Sequence, residues 1–465
     1  MRAPRPYIFY GQTTSLCEVC LELVPAKILI EGSDVFYQKR CHVHGVQKTL
    51  VSTDADYFRS CKNFQKPGDR PLKFQGRTEH GCPYDCGLCP DHEQHSCLAL
   101  IEINEACNLD CPVCFADSSP RRTGHRSLAE VERMLDVLVE SEGEPDLLQI
   151  SCGEPTLHPE IMEILRLAKS RPIRHVMLNT NGVRLASDPD FAKRLADLGP
   201  GFEVYLQFDS LRPEALRRIR GADLTRQREK ALENLEAARL STTLVAVVAK
   251  GVNDDECGAI VRHALQYACV RGVTFQPVQD AGRNVGFDKN RDRAMLTDIR
   301  RSIAETSDVF AAEDILPLPC NPDSIAIAYG LRSGGTVVPV TQLFPTDVLL
   351  GAAGNTISFE TSPALKARLF DLLSLSTAGP STGQTLHQFL CCLPAFEGPS
   401  SLTYENVFRV VIVQFLDRFN FCIGAVKRSC IHFVTPAGQI IPFDTYNLFY
   451  RDGLPAPRRR QAVDA

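Results

Sequence analysis

The sequence predicts an α/β protein: a partial (β/α)6 TIM-like barrel with a metal-stapled module before it and an α+β extension after it. Three observations carry that expectation. From Leu98 to about Asp280, apolar strand-like runs alternate six times with amphipathic helical stretches, the pattern of a parallel sheet curling on itself. The polar, motif-like sequences of that region fall just after the strand runs, where α/β sheets carry their chemistry. Of the chain's 19 cysteines, eleven lie between Cys17 and Cys114, in its first quarter.

In order, residues 1–60 read as a small module with short strands at Lys27–Ile30 and Val35–Lys39 between paired ligand residues. A segment this short buries little apolar surface, so a metal would supply much of its folding energy. Residues 61–97 carry a further cysteine group, and the barrel occupies 98–285. Its strands are expected at Leu98–Ile103, Leu147–Ser151, His175–Asn179, Phe202–Phe208, Thr242–Val248 and Gly272–Gln276. Ser127-Leu-Ala-Glu130 has the spacing of a capping box and opens a helix to about Glu140. Further helices are expected near Glu160–Ser170, Asp190–Leu198, Glu214–Arg239 and Glu256–Ala268. Residues 286–465 form a Pro- and Gly-punctuated extension. It holds a hairpin of Ile325–Tyr329 with Thr336–Pro339, an apolar helix near Tyr404–Asp417, and a second hairpin turning at Ala437-Gly438. The tail Pro457-Arg-Arg-Arg460 is expected to be solvated and disordered.

Composition narrows the function classes. The chain is 44% hydrophobic and 23% charged, enough for an ordinary globular core. With 56 acidic against 51 basic residues the net charge is −5, so no nucleic-acid surface is expected. The longest apolar tract, Phe408–Leu416, is broken by Arg409 and Gln414, well short of the roughly 18 residues that span a bilayer. Met1-Arg-Ala-Pro-Arg-Pro lacks the apolar region of a secretory signal, which points to the cytoplasm. There, closely spaced thiols are metal ligands more often than crosslinks.

The spacings agree with that. Cys17-Glu-Val-Cys20 is followed by Cys41-His-Val-His44, and two such tight turns make a closed tetrahedral site. Cys82-x3-Cys86-x2-Cys89, with Cys97 nearby, and Cys107-x3-Cys111-x2-Cys114 are different: three thiolates on one short loop suit three corners of a [4Fe-4S] cube. Scattered cysteines such as Cys257, Cys269, Cys391 and Cys422 read as packing, because a lone cysteine behaves as a small buried hydrophobe. Five polar motifs gather at the strand ends: the second triad, Ser151-Cys-Gly-Glu-Pro155, Asn179-Thr-Asn-Gly182, Gln207-Phe-Asp209 and Gln276-Pro-Val-Gln279. Any one could be turn chemistry; five on one rim mark a site.

Cys107-x3-Cys111-x2-Cys114 after the first strand of such a barrel resembles the defining motif of the radical S-adenosylmethionine (SAM) superfamily. The resemblance implies a [4Fe-4S] cluster whose fourth iron is chelated by SAM, and reductive cleavage of SAM to a 5′-deoxyadenosyl radical that abstracts hydrogen. It implies SAM contacts at Phe115, at Ser151, Cys152, Gly153 and Glu154, at Asn179 and Asn181, at Gln207 and Asp209, and at Gln276. Two positions depart from the family pattern: Cys152 replaces the first glycine of its "GGEP" element, and Val113 replaces an aromatic residue.

The run from His80 to Cys97 and the segment Cys430–Asn447 resemble the archaeal tetraether lipid synthase group, with its pterin-modifying relatives. That likeness implies a rubredoxin-like mononuclear iron or zinc site at Cys17, Cys20, Cys41 and His44. It implies an auxiliary cluster at Cys82, Cys86 and Cys89 with Cys97 as the fourth ligand, making two [4Fe-4S] clusters. A third would draw on Cys320 and Cys430, but Asp444 stands where the group has cysteine, and carboxylate binds cluster iron less well than thiolate. The leading expectation is therefore a radical SAM enzyme joining lipid alkyl chains by carbon–carbon bond formation. It would be reduced by a ferredoxin or flavodoxin, and cytoplasmic or peripheral to the inner face of the membrane. The alternatives are methylation of a small pterin-like substrate, and a non-catalytic metal-binding scaffold on a degenerate barrel.

Overall fold

The computed structural model describes residues 5–333, 336–352 and 406–451. Cys391 and the arginine-rich tail lie outside them. Four antiparallel strands open the chain: β1 (Ile8–Leu16), β2 (Leu23–Glu31), β3 (Asp34–Cys41) and β4 (Gly45–Ser52), paired in that order. The two inner strands match expectation, whereas β1 and β4 were hidden by their many polar residues. Helix α1 (Ala55–Phe64) follows, its first turn capped by the Asp54 carboxylate, which accepts from the Tyr57 amide at 2.9 Å.

The barrel strands are β5 (Leu98–Glu102), then, beyond a short loop strand β6 (Val113–Cys114), β7 (Leu147–Ser151), β8 (His175–Thr180), β9 (Phe202–Gln207), β10 (Thr242–Val248) and β11 (Val270–Pro277). The six long strands lie side by side in chain order, all parallel. Their outward residues, such as Ile101, Ile150, Leu178, Val204 and Leu244, are fully buried under the helices. Those helices are α2 (Leu128–Glu142), α3 (Ile161–Lys169), α4 (Val183–Ser187), α5 (Pro189–Ala196), α6 (Pro213–Arg220), α7 (Thr225–Ala237) and α8 (Cys257–Ala264). The capping box at Ser127 and Glu130 is formed as expected. The helical stretches expected around Glu214–Arg239 are α6 and α7, parted where Gly221 takes φ +77 and ends α6.

After β12 (Arg283–Asn284), which pairs with β6, come α9 (Leu296–Thr306), β13 (Leu316–Pro317), β14 (Ile325–Ser333), β15 (Thr336–Pro339), β16 (Val407–Val413), β17 (Ile431–Val434) and β18 (Ile440–Pro442). Here one expectation fails. The apolar stretch near Tyr404–Asp417 is strand β16, not a helix. Five of the seven residues in Val407-Phe-Arg-Val-Val-Ile-Val413 are β-branched, which stiffens χ1 and favours a pleated surface. Phe408, Val410 and Ile412 face the core, while Arg409, Val411 and Val413 line the barrel interior.

The extension completes the barrel's edges. β16 pairs in parallel with β11, and β17 in parallel with β5. The first and sixth barrel strands thus present no unpaired edge. No helix among the described residues is long and apolar enough to cross a membrane.

The barrel floor is charged. Glu203, fully buried, pairs with Arg409 of β16 at 3.1 Å and with His175 at 3.2 Å, and accepts from the Thr243 hydroxyl. Burial alone would raise its carboxyl, but Arg409 and His175 outweigh it and hold the group far below its ordinary value of 4.5. A depressed folded value contributes stability that is complete above about pH 4.5 and is lost as pH falls through the folded value. We expect Glu203→Gln to lower stability at neutral pH and to flatten the acid limb of a pH–melting profile; an unchanged limb would mean that other carboxylates govern it.

Candidate active site

The loop between β5 and α2 carries Cys107, Cys111 and Cys114, and several bonds pin its shape. The Asn104 amide donates to the carbonyls of Ala106 (3.0 Å) and Glu154 (3.1 Å). The Arg283 guanidinium donates to the carbonyls of Cys111 (2.7 Å) and Ser118 (2.6 Å). The Glu154 amide donates to the Ala106 carbonyl at 2.8 Å. A side chain at Gly153 would put its Cβ 2.1 Å from that same carbonyl, so only glycine fits there. All three cysteines face one cleft at the barrel mouth. Burial pushes the Cys107 thiol up to about 12 and raises that of Cys111, the latter opposed by the neighbouring Arg220. Such thiols ionise when a metal displaces their protons. Three of them on one loop fit three corners of a [4Fe-4S] cluster.

Four strands bring polar groups to the same cleft. Ser151, Cys152 and Gly153 line it from the end of β7, with Asn179, Asn181, Gln207, Gln276 and Phe115. The Asn179 amide donates to the Ser151 hydroxyl (3.1 Å), and Gln207 donates to the Asn179 carbonyl oxygen (3.3 Å). Asn181 donates to Asn108 of the cysteine loop at 2.6 Å, and Gln276 donates to the Tyr205 hydroxyl at 3.4 Å. Cys152 sits at φ +76, the left-handed conformation that favours glycine, with its thiol buried beside the Ser118 hydroxyl at 3.8 Å.

Two expected contacts face elsewhere. The Glu154 carboxylate is 1% exposed and already accepts from the Asn181 amide (2.7 Å) and the hydroxyls of Thr156 and Thr180 (both 2.6 Å). It clamps the ends of β7 and β8 together rather than facing the cleft. Asp209, fully buried at φ +65, is held by Arg220 at 2.6 Å and Arg228 at 3.0 Å. Burial would raise its carboxyl, but the two guanidinium groups pull it below its ordinary value. The cleft-facing member is Arg220, which no motif marked: it is simply the last residue of α6. Gln149, Tyr205, Arg409 and Phe443 also line the cavity unannounced. Only strand alternation could have found the first three.

The other thiols form three groups. Cys17, Cys20, Cys41 and His44 converge, with Cys17 Sγ and Cys41 Sγ each 3.5 Å from His44 Nδ1 and Cys20 Sγ 3.9 Å from Cys41 Sγ. A tetrahedral ion with sulfur at about 2.3 Å and nitrogen at about 2.0 Å has edges of about 3.8 and 3.5 Å, so the four residues fit one. Cys20→Ser should remove one equivalent of bound metal and make residues 8–52 protease-sensitive; retention of that metal would show the ligand set to be different.

Cys82, Cys86 and Cys89 form the second group: the Cys82 thiol bonds that of Cys86, which raises the former and lowers the latter, and Cys89 lies close by. Tyr450 donates to the Pro83 carbonyl at 2.6 Å and ties this loop to the C-terminal segment.

The third group corrects an expectation. Cys97 belongs with Cys320 and Cys430, not with the Cys82 loop: the three sulfurs lie within 4.8 Å of one another, and Cys320 and Cys430 are 3.6 Å apart. The cause is topological. Cys97 immediately precedes β5 and Cys430 precedes β17, and the parallel pairing of these strands, Leu98 opposite Ile431, sets them side by side. Asp444 is buried beside Cys430, accepts from the Leu416 amide at 2.6 Å, and is pushed up to about 7 by burial. Cys257 and Cys269 are packed in the main core, as expected; Cys422 is half-buried against the Thr13 hydroxyl at 3.1 Å.

A parallel α/β barrel with three loop thiols and a ring of polar groups at its mouth defines an iron–sulfur enzyme of the SAM-cleaving kind. Comparison with known proteins agrees. Residues 101–264 match the family model "Radical SAM superfamily", and residues 9–53 match "HMPTM N-terminal zinc ribbon domain". The chain is 28% identical to the 7,8-dihydro-6-hydroxymethylpterin dimethyltransferase of Methanocaldococcus jannaschii, over 95% of this chain and 94% of that protein. It is 30% identical to the GTP 3′,8-cyclase of Chlorobaculum tepidum, over 58% of this chain and 82% of that one. Among solved structures, Streptococcus suis SuiB bound to S-adenosylmethionine aligns with TM-score 0.39 and 18% identity, over 46% of this chain and 47% of that one. The chain belongs to the radical SAM superfamily. It is a SAM-dependent iron–sulfur enzyme, with a zinc ribbon domain at its N-terminal end.

Proposed function

We propose that this chain is a radical SAM methyltransferase acting on a reduced pterin. The observation that carries this reading is its end-to-end similarity, across 94% of the relative's length, to a 7,8-dihydro-6-hydroxymethylpterin dimethyltransferase. Alkyl coupling of lipids, the leading expectation from the sequence, has no counterpart in the names of the relatives above. In this reading Cys107, Cys111 and Cys114 hold the cluster. SAM lies against Phe115, Ser151, Cys152, Gly153, Asn179, Asn181, Gln207 and Gln276, the residues that share the cleft. When bound, the cluster and SAM supply a 5′-deoxyadenosyl radical that removes a hydrogen atom from an unactivated carbon. The chain's own residues orient and shield: Asp209 holds Arg220 at the cleft, and the strands supplied by the extension keep the chamber closed along both barrel edges.

Cys82, Cys86 and Cys89, and separately Cys97, Cys320 and Cys430, are the proposed auxiliary cluster sites. Their thiols are soft donors held together in mostly buried loops. Residues 1–60 and 61–97 act as metal-holding modules on the barrel of 98–285, and 286–465 supplies its flanking strands and the remaining thiols. The electron donor is of the ferredoxin or flavodoxin class. Anaerobically purified protein incubated with SAM, dithionite and 7,8-dihydro-6-hydroxymethylpterin should release 5′-deoxyadenosine and yield the pterin carrying one or two additional methyl groups, read by mass spectrometry. An untouched pterin together with coupled alkyl chains in lipid extracts would overturn the reading.

A further inference from the structure

One amide inside the barrel stands apart from the others. Gln149 is the middle residue of β7, and with Leu147 and Ser151 it points into the interior chamber. It is 5% exposed, yet no protein group among the described residues hydrogen-bonds its side chain. Of the chamber's other amides, Asn179 is engaged with Ser151, Gln207 with Asn179, Gln276 with Tyr205 and Asn181 with Asn108, while Gln279 is only half-buried. Gln149's neighbours across the sheet are Leu100 on β5 and Met177 on β8, both apolar and both lining the same chamber.

A buried polar side chain is ordinarily paired, so an unpaired amide aimed into a ligand chamber marks where a ligand supplies the partner. A carboxamide offers a donor and an acceptor side by side. An alkyl chain offers neither and would leave both unsatisfied, a loss of roughly tenfold to a hundredfold in affinity. We infer that Gln149 reads the substrate's lactam edge, the adjacent donor and carbonyl of a 2-amino-4-oxo pyrimidine ring, while Leu100 and Met177 pack on the ring. This rests on the pterin reading above and deepens it: it names a specificity residue two positions before Ser151, below the rim where the SAM contacts are proposed.

The test measures equilibrium binding to the full-length, cluster-loaded protein in the presence of SAM. The probes are 7,8-dihydro-6-hydroxymethylpterin and its N3-methyl counterpart, whose lactam edge keeps the carbonyl but has lost the N–H donor. Wild type should prefer the pterin by about tenfold or more. Gln149→Leu should bind the pterin about tenfold more weakly, lose the preference between the two ligands, and hold SAM with wild-type affinity. Gln149→Asn, which keeps a shorter amide, should retain part of the preference and guards against a simple packing effect. Three results would overturn the inference. An unchanged preference in Gln149→Leu would remove Gln149 from the pterin site while leaving the proposed function standing. A parallel loss of SAM affinity would assign it to the SAM site instead. Wild-type binding of a long-chain alkyl ether but of neither pterin would sink both this inference and the function it rests on.

Discussion

Replacing Cys111 with alanine should abolish 5′-deoxyadenosine formation, to the level of a protein-free control, and remove about four iron atoms per chain. The expectation follows from the loop. Cys111 faces the cleft with Cys107 and Cys114, its carbonyl is held by Arg283, and its thiol lies beside Arg220. The backbone is fixed by these neighbours rather than by the sulfur, so the variant should fold and bind metal at its N-terminal site. Cys257→Ala is the matching control. That thiol is fully buried in the main core, away from the cleft. Its loss should cost on the order of 1 kcal/mol through a small cavity and leave the iron content unchanged. Iron and chromophore measurements on the two variants separate chemistry from packing; an iron-replete Cys111→Ala would refute the ligand assignment.

Removing the Asp209 carboxylate should be the most destabilising single change outside the cysteines. Asp209 is fully buried between Arg220 and Arg228, themselves 7% and 2% exposed. Burial, joined by the neighbouring Arg220, outweighs Asp209 and brings Arg228 down to about 10. Asp209→Ala leaves two desolvated guanidinium groups without a counter-charge, a loss of about 3–5 kcal/mol. Chemical denaturation should show it directly. Asp209→Asn keeps the shape but not the charge and should recover only part of the loss. If Asp209 instead bound SAM, both variants would retain stability and lose SAM affinity, the opposite pattern.

Much of this was legible along the chain. The six barrel strands were visible because buried parallel strands are continuous apolar runs that end at polar turns, and the helices between them because of their period and the Ser127–Glu130 cap. The Cys17–His44 and Cys107–Cys114 groups were visible because short spacings bind sequence neighbours to one ion. Less legible were segments where alternation and helical periodicity give similar apolar runs. Val407–Val413 is such a run, and its β-branched composition is what favours the strand over a helix.

Sequence by itself determined the superfamily, the barrel strands and the local ligand motifs, because each is written within a few tens of residues. Only the tertiary structure decided which distant residues share a site. Cys97 meets Cys430, 333 positions further along the chain, because β5 and β17 pair in parallel. Glu154 and Asp209, polar residues at strand ends like the true cleft residues, turn out to be buried clamps because their hydrogen-bond capacity is filled from neighbouring elements. Gln149, unremarkable in an apolar run, faces the chamber because strand alternation and barrel closure together turn it inward. Spacing encodes local geometry, whereas the partners that satisfy or neutralise a buried group come from elsewhere in the fold.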